Sequence, residues 1–307
     1  MHDSIPMKIL FFLIPFVLSA GLVAADDDPV IADDDFWIHT DGPYGGSVWS
    51  LYADGDVLIA GTLSHGIFFS TDNGDTWLQS GLEDDSVFDI DRSEDQTLIA
   101  AGQQGVYLSF NNGRSWDEES DGLEDAKPQA ILAVSEDEVH LATIGGGMYL
   151  WDGDSWAENN DGLGLKFGYS LGMHEGEVFA GITNDVYRWN REEESWIKLD
   201  LNLPDVRVNA FKSFNGNLWA ATQEGLYMTD DMGETWSKIS SEFSEEYTYT
   251  LAVHEDQLFI GTRIGAYRSD NGQDWDEYGH EDYTVYSLAA GTGNLFSGGN
   301  PGVFIAR

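Results

Sequence analysis

The sequence predicts an all-β protein: a seven-bladed β-propeller of four-stranded antiparallel blades, with the last blade closed by the N-terminal strand. Two observations predict this fold. Tryptophans recur at intervals of 39 or 40 residues along the chain. Each interval also holds three short β-rich runs separated by Gly, Asn or Asp, and the run with the tryptophan makes a fourth strand. The seven tryptophans are Trp37, Trp77, Trp116, Trp156, Trp196, Trp236 and Trp275.

The two ends of the repeat series complete each other. No strands precede Trp37, and the last three predicted strands, near 283–290, 294–298 and 302–306, have no tryptophan after them. Together, the incomplete repeats at the two ends make one whole blade. The strand at 36–41 is therefore predicted to pair as the outer strand of the last blade, which closes the ring without a free edge. Six complete blades and one shared blade give seven.

A turn motif of the form S-x-D-x-G-x-T-W precedes four of the tryptophans. In such a turn Asp or Asn folds onto nearby backbone N–H groups, Gly supplies a positive φ, and Ser or Thr bonds back to the loop. The tryptophan is predicted to pack between neighbouring blades. A copy at 151–156 is one residue short, and a copy at 189–196 lacks the Gly. The residues with these structural roles are Asp72, Gly74, Trp77, Asn111, Gly113, Trp116, Asp152, Trp156, Trp196, Asp231, Gly233, Trp236, Asp270, Gly272, Trp275 and Trp37.

This motif resembles the Asp-box, or BNR repeat, over about 35–307. Asp-box sialidases rely on three arginines and an early Arg-Ile-Pro motif. The Arg-Ile-Pro motif is absent from this sequence, so sialidase activity is not expected. The chain is more similar to the photosystem II stability and assembly factors, exported seven-bladed propellers, although it lacks their arginine patch. The ten-bladed luminal domain of sortilin is a more distant likeness. These resemblances imply a propeller that binds a protein or peptide.

The N-terminus predicts export. Lys8 precedes an apolar run over 9–25 that ends in Val23-Ala24-Ala25 and is followed by aspartates. This is typical of a secretory signal peptide. The alternative, an uncleaved anchor, would need a spanning run of about 20 apolar residues, and this run is shorter. The predicted organisation is a signal peptide at 1–25, an acidic leader at 26–35 and the propeller at 36–307. We expect a periplasmic or extracellular protein with no stable membrane insertion after cleavage.

Composition excludes several kinds of site. The chain has no cysteine, which excludes disulfides, thiolate metal sites and cysteine nucleophiles. A net charge of −41 disfavours nucleic acid as a partner and favours cations or a basic partner, unless the charge serves only solubility in salt. No cofactor or metal is predicted. Acidic clusters such as 83–85 and 245–246 leave Ca²⁺ open, although they lack the alternating ligand spacing of a calcium loop.

A candidate binding face carries the loops between blades and the loops between second and third strands. The equivalent first-strand positions are Trp49, Phe88, Ala130, Tyr169, Asn209, Tyr249 and Tyr286, and five of these seven are aromatic. Two interpretations remain open, a ligand-binding aromatic rim at the central channel or packing between blades. Arg207 and Arg263 are predicted on the same face. The predicted binding residues are Trp49, Phe88, Tyr169, Asn209, Tyr249, Tyr286, Arg207 and Arg263.

The functional prediction is a non-catalytic exported propeller that binds a protein, peptide or glycan on its loop face, with assembly or stability factor as one such role. We expect a monomer. The alternative is a glycoside hydrolase, sialidase-like or xyloglucanase-like, with a carboxylate pair in the central pocket. Buried, close-set carboxylates with raised pKa values in that pocket would favour the enzyme.

Overall fold

The computed structural model describes residues 36–306 except 45, 124–125, 200–205 and 242. The predicted signal peptide and acidic leader lie outside the described residues. Within the described part of the chain there is no helix long and apolar enough to cross a membrane.

The described chain forms seven four-stranded antiparallel sheets, as predicted. In six of them the strands follow each other in chain order from the central channel outwards. Blades 1 to 3 comprise β2 (Val48–Asp54), β3 (Val57–Thr62), β4 (Ile67–Ser70) and β5 (Leu78–Gly81); β6 (Val87–Arg92), β7 (Leu98–Gly102), β8 (Val106–Ser109) and β9 (Asp117–Glu118); β10 (Lys127–Ala133), β11 (Val139–Ile144), β12 (Gly147–Trp151) and β13 (Trp156–Glu158).

The other blades repeat this order, and the seventh combines the two ends of the chain. Blades 4 to 7 comprise β14 (Gly168–His174), β15 (Glu177–Ile182), β16 (Asp185–Asn190) and β17 (Ser195–Lys198); β18 (Val208–Phe214), β19 (Asn217–Thr222), β20 (Gly225–Thr229) and β21 (Ser237–Lys238); β22 (Thr248–His254), β23 (Gln257–Thr262), β24 (Gly265–Ser269) and β25 (Asp276–Glu277); β26 (Ser287–Ala290), β27 (Leu295–Gly299), β28 (Gly302–Ala306) and β1 (Trp37–His39).

The predicted ring closure is confirmed. β1 pairs antiparallel with β28, with Trp37 opposite Ala306 and His39 opposite Phe304. The strand is shorter than the predicted 36–41, although one further bond joins Thr40 N–H to the Val303 carbonyl at 2.9 Å. β26 also begins later than predicted, at Ser287.

The blades have two distinct ends because all neighbouring strands are antiparallel. One end, which we call the turn face, carries the turns between first and second strands and between third and fourth strands. The other end, the loop face, carries the loops between second and third strands and those that lead to the next blade. The repeated turn motif therefore lies on the turn face.

The turns of blades 1, 2, 5 and 6 are stabilised by similar hydrogen bonds. In blade 1, Ser70 Oγ accepts a bond from Gly74 N–H at 2.9 Å and donates to Asp72 Oδ1 at 2.7 Å. Asp72 also accepts bonds from the backbone and hydroxyl of Thr76, at 2.9 and 2.6 Å. Gly74 has a φ of 90°, which explains the glycine. The corresponding bonds from Thr235 and Thr229 lower the pKa of Asp231 in blade 5 to about 2. In blade 6 the structure corrects the assignment, because Ser269 Oγ donates to Asn271 Oδ1 at 3.2 Å, so Asn271 and not Asp270 takes the place of Asp72.

The core lies between the blades, and the repeated tryptophans join each blade to the one before it. Trp156 Nε1 donates to the Glu119 carbonyl at 3.0 Å, and Trp196 Nε1 donates to the Asn159 carbonyl at 3.0 Å. At the closure, Trp37 Nε1 donates to the Tyr278 carbonyl at 2.5 Å, and Trp37 is only 4% exposed. The first strand thus bonds to blade 6 as well as to blade 7.

Replacing Trp37 should open the ring. We expect Trp37→Ala to lower the free energy of unfolding by about 3–5 kcal/mol, because it removes a buried aromatic side chain and its interblade hydrogen bond. Ile38→Ala is the matched control, since Ile38 lies in the same strand and is 41% exposed. Urea unfolding of both variants checks this. Equal losses for the two variants would contradict a closing role for the tryptophan.

Candidate functional site: a central aromatic cavity on the loop face

Six of the seven inner strands carry a β-bulge at the same position. In β2 the pairing with β3 shifts between Val48 and Ser50, so Trp49 has no partner across the ladder. A β-bulge bends its strand and re-aims the unpaired side chain. The bulged residues are Trp49, Phe88, Gln129, Tyr169, Asn209 and Tyr249.

The bulged side chains meet around one central cavity of about 490 Å³, and Tyr286 completes the ring from blade 7. Seven of the eight predicted binding residues line it, namely Trp49, Phe88, Tyr169, Arg207, Asn209, Tyr249 and Tyr286. The structure corrects the alignment in blade 3. There the residue equivalent to Trp49 is Gln129 and not Ala130, because the bulge lies one residue earlier.

Aromatic contacts hold one side of the ring. Trp49 stacks on Tyr286 with ring centroids 4.7 Å apart and planes inclined by 19°. Tyr249 meets Tyr286 edge-on at 5.1 Å and lies 4.4 Å from Tyr247. All four residues also line the cavity. These rings therefore pack across blades and also face a shared space, and ligand binding by the rim stays a prediction.

Arg207 is fixed in the cavity wall by neutral neighbours. Its guanidinium lies 4.8 Å from the ring centroid of Tyr169 and 5.9 Å from that of Tyr247. Arg207 Nε donates to Asn209 Oδ1 at 3.1 Å, and a further bond reaches the Tyr247 hydroxyl. Asn209 is held in turn, since its Nδ2 donates to the Thr248 carbonyl at 2.8 Å. The guanidinium is thus pre-oriented, with no carboxylate of the described residues bonded to it.

Arg263 does not join this group. Its guanidinium is 59% exposed and pairs with Glu246 at 2.8 Å, and Arg263 is not among the residues that line the cavity. The sequence placed it on the loop face, and its backbone does bond to the loop at Tyr247. The Glu246 carboxylate therefore neutralises the charge of Arg263.

Asp89 is a cavity-lining residue that the sequence analysis missed. Its two carboxylate oxygens accept bonds from Ile90 N–H and Ile131 N–H, both at 2.9 Å. Asp91 repeats this arrangement, accepting from Arg92 N–H at 2.8 Å and Ala133 N–H at 2.9 Å. Both carboxylates therefore join blade 2 to the inner strand of blade 3. The available signal was two aspartates at alternate positions next to the apolar residues Val87, Phe88 and Ile90.

Burial raises the pKa of Asp89 to about 7, against the opposing effect of the bond from Ile131, and the nearby Asp91 carboxylate raises it further. Burial also raises the pKa of Asp91. Asp89 is the one carboxylate among the described residues that line the cavity, and Arg207 is the one cation. No cluster of three or more metal-ligating side chains occurs in the described part of the chain. The absence of a metal stays a prediction, and Ca²⁺ stays open as the alternative.

Several solved structures share this fold. YCF48 from Cyanidioschyzon merolae has a TM-score of 0.70 at 15% identity, over 88% of this chain and 98% of that chain. YCF48 bound to D1 peptide has a TM-score of 0.69 at 16% identity, over 90% and 96%. The extracellular domain of the hybrid two-component system BT4673 from B. thetaiotaomicron has a TM-score of 0.73 at 14% identity, over 89% of this chain and 40% of that chain.

These likenesses establish the fold alone, because the sequence identities are low. No protein-family model and no curated protein sequence matches the chain. Membership of the Asp-box family therefore stays a prediction from the turn motif.

The raised pKa of Asp89 has a consequence for stability. In the unfolded chain an aspartate has a pKa near 3.9, so between about pH 4 and pH 7 the folded protein binds a proton that the unfolded chain has released. This contribution is complete below pH 4 and is lost as the pH rises through about 7. Between about pH 4 and pH 7, the free energy of unfolding of the wild type should fall by roughly 3 kcal/mol relative to that of Asp89→Asn. Above this range the difference should stay constant.

Urea unfolding of both proteins at several pH values measures this difference, and the ¹³C shift of the Asp89 carboxyl reports its titration directly. A constant difference between wild type and Asp89→Asn from pH 4 to pH 8 would contradict the assignment. So would a carboxyl that titrates below pH 5.

Proposed function

We propose that this protein is an exported, non-catalytic β-propeller that binds a peptide segment of a partner protein in the central cavity of its loop face. One observation carries the proposal: seven equivalent inner-strand positions direct their side chains into a single cavity. A volume of about 490 Å³ lies within the usual range for ligand sites, and its aromatic walls with a few polar groups are typical of them.

The cavity has the chemistry of a peptide-binding pocket. Aromatic faces at Trp49, Tyr249 and Tyr286 offer large apolar areas for a side chain of the ligand. Arg207 offers a fixed guanidinium that would pair with a carboxylate, either an acidic side chain or a chain terminus. The amide of Gln129, which also lines the cavity, adds donors and an acceptor for the peptide backbone.

The role in assembly or stability of a partner protein belongs to this proposal. Its support is the shared fold with YCF48, for which a complex with a D1 peptide exists. Export is supported by the apolar run and small residues before Asp26, and BT4673 gives an example of this fold in an extracellular domain. The surface charge would draw partners with basic segments towards the propeller.

A glycoside hydrolase has one observation in its favour, the raised pKa of Asp89 in the cavity wall. Canonical glycosidases use two carboxylates that flank the bond they cleave. Here Asp91 points its oxygens at the backbone of blade 3 and does not line the cavity, and both oxygens of Asp89 are also engaged by backbone N–H groups. The geometry thus favours binding over hydrolysis. A panel of chromogenic glycosides tests the alternative, and turnover that Asp89→Asn abolishes would establish it.

Peptide binding can be tested with a displayed library of random peptides, selected on the protein that starts at residue 26. We expect the enriched peptides to share an aromatic or large apolar residue and a carboxylate. Arg207→Gln, which removes the charge and keeps a polar side chain, should weaken their binding about tenfold or more in calorimetry. Converting the peptide carboxylate to an amide should weaken binding to the wild type and have little effect on Arg207→Gln.

The matched control is Arg114→Ala, since Arg114 lies in an exposed turn on the opposite face. It should bind the selected peptides as the wild type does. Unchanged affinity of Arg207→Gln would contradict the proposed site. Enrichment of no peptide, together with binding on a glycan array, would replace a peptide by a sugar as the ligand.

A further inference from the structure

A cleft between blades 2 and 3 on the turn face is a second candidate site. It has a volume of about 310 Å³, shares no lining residue with the central cavity, and has apolar walls with an acidic rim. The cleft arises from the contact between the turn that joins the third and fourth strands of one blade and the preceding blade.

In blades 2, 5 and 6, the turn glycine packs against the second strand of the previous blade. A methyl group on Gly113 of blade 2 would lie 2.2 Å from Ile59 of blade 1, and one on Gly272 of blade 6 would lie 2.3 Å from Trp219 of blade 5. These turns therefore lie directly on the side chain at this second-strand position. They leave no space at that end of the interface.

The turn of blade 3 does not make this contact. Trp151 pairs directly with Trp156, so the turn contains only residues 152–155. The atoms nearest to a methyl group on Gly153 belong to Asp137 of the same blade. Ile99 of blade 2, which is equivalent to Ile59, instead lines the cleft. The short turn thus leaves a space that the turns of blades 2, 5 and 6 fill at their own interfaces.

The interface of blades 3 and 4 carries a cleft of its own, of about 530 Å³, with a different lining. The turn of blade 4 is equally short, since Asn190 pairs with Ser195. There the second-strand position of blade 3 holds His140, whose ring lies edge-on to Trp189 and Trp196 at 5.8 Å from each. A buried imidazole thus takes the place of Ile99 there, and the cleft at that interface is lined by the basic Arg191 as well as by acidic residues.

The cleft exposes an aromatic side chain where the other turns carry polar ones. Phe110 is 70% exposed at its edge. The corresponding residues in the other complete turns are Thr71, Asp230 and Asp270. Exposed apolar surface of this kind, bordered by polar groups, marks interaction sites. Leu108, Val139 and Trp151 continue the apolar wall.

The rim has one sign of charge. The acidic residues are Asp95, Glu119, Glu136 and Asp137, and no basic residue of the described chain lines the cleft. Bonds from Ser93 and Thr97 lower the pKa of Asp95, so that carboxylate stays ionised at neutral pH. The net charge of −41 adds to this local field. An occupant must therefore combine an apolar side chain with positive charge.

We infer that the cleft between blades 2 and 3 binds a basic peptide segment of a partner protein, with one aromatic side chain inserted against Phe110, Ile99 and Trp151 and flanking Lys or Arg residues on the acidic rim. Aromatic insertion supplies most of the affinity, and the rim charges supply selection and rapid encounter. The volume accommodates one large side chain. The central cavity, with its guanidinium, takes the opposite charge, so the two sites have different ligands.

The test uses the acetylated and amidated peptide KRWKR, with KRAKR and EEWEE as comparison peptides, in calorimetry at low and at physiological salt. KRWKR should bind the wild type, and Phe110→Ser should weaken it about tenfold. Serine matches the polar residues of the other turns, so the fold is expected to persist, and thermal unfolding checks this. Glu119→Gln with Glu136→Gln should weaken binding about threefold at low salt.

Two controls isolate the cleft. Leu78→Ser removes a residue that is 61% exposed on the outer strand of blade 1 and should leave KRWKR binding unchanged. Arg207→Gln should also leave it unchanged, because that residue lies in the central cavity. The proposal therefore stands or fails independently of the one above.

Four results would overturn it. Unchanged binding to Phe110→Ser would exclude the cleft, and equal binding of KRAKR would mean general attraction to an acidic surface. Equal binding of EEWEE would mean that the cleft does not select basic partners. If KRWKR does not bind, and Phe110→Ser abolishes a concentration-dependent association of the wild type in sedimentation, the occupant is a second copy of this chain.

Discussion

The pairing of β1 with β28 is the constraint on which the rest of the molecule depends. A propeller buries its core between blades, so each blade needs a neighbour on both sides. Trp37 provides the last link, because it pairs with β28 of blade 7 and bonds to the carbonyl of Tyr278 in blade 6. With the ring closed, the seven inner strands are held around a common axis and their first residues can share one cavity.

The same geometry explains why the inner strands carry polar bridges. The inner strand is an edge of its sheet, and its unpaired backbone groups need partners. Asp89 and Asp91 supply them between blades 2 and 3, and Asn209 supplies one between blades 5 and 6. Asp89 and Asn209 also line the cavity. Residues that join the blades are thus part of the candidate site, and a change at Asp89 would affect both.

The two candidate sites differ in origin: the repeat produces the central cavity, and a departure from the repeat produces the cleft. The bulges at the start of the inner strands recur in nearly every blade and shape the central cavity. The cleft on the turn face has the opposite origin, since it arises at one interface where a short turn meets a small side chain, Ile99. The next interface has an equally short turn, with His140 packed against Trp189, and its cleft is lined by the basic Arg191 as well as by acidic residues. The two clefts therefore differ in the charge of their linings.

The sequence alone determined the number of blades, their four strands, the closing partner of Trp37 and the face on which an aromatic row would lie. It could do so because a propeller repeats one supersecondary unit, and the spacing of tryptophans and turns reports that unit directly. The tertiary structure alone decided that Gln129 and not Ala130 completes the row, that Tyr247 and Asp89 join it, and that Arg263 does not. A bulge shifts a side chain by one position without altering the strand pattern. Arg263 pairs with Glu246 because two loops approach each other in the folded chain. The local periodicity of the sequence does not predict such an approach.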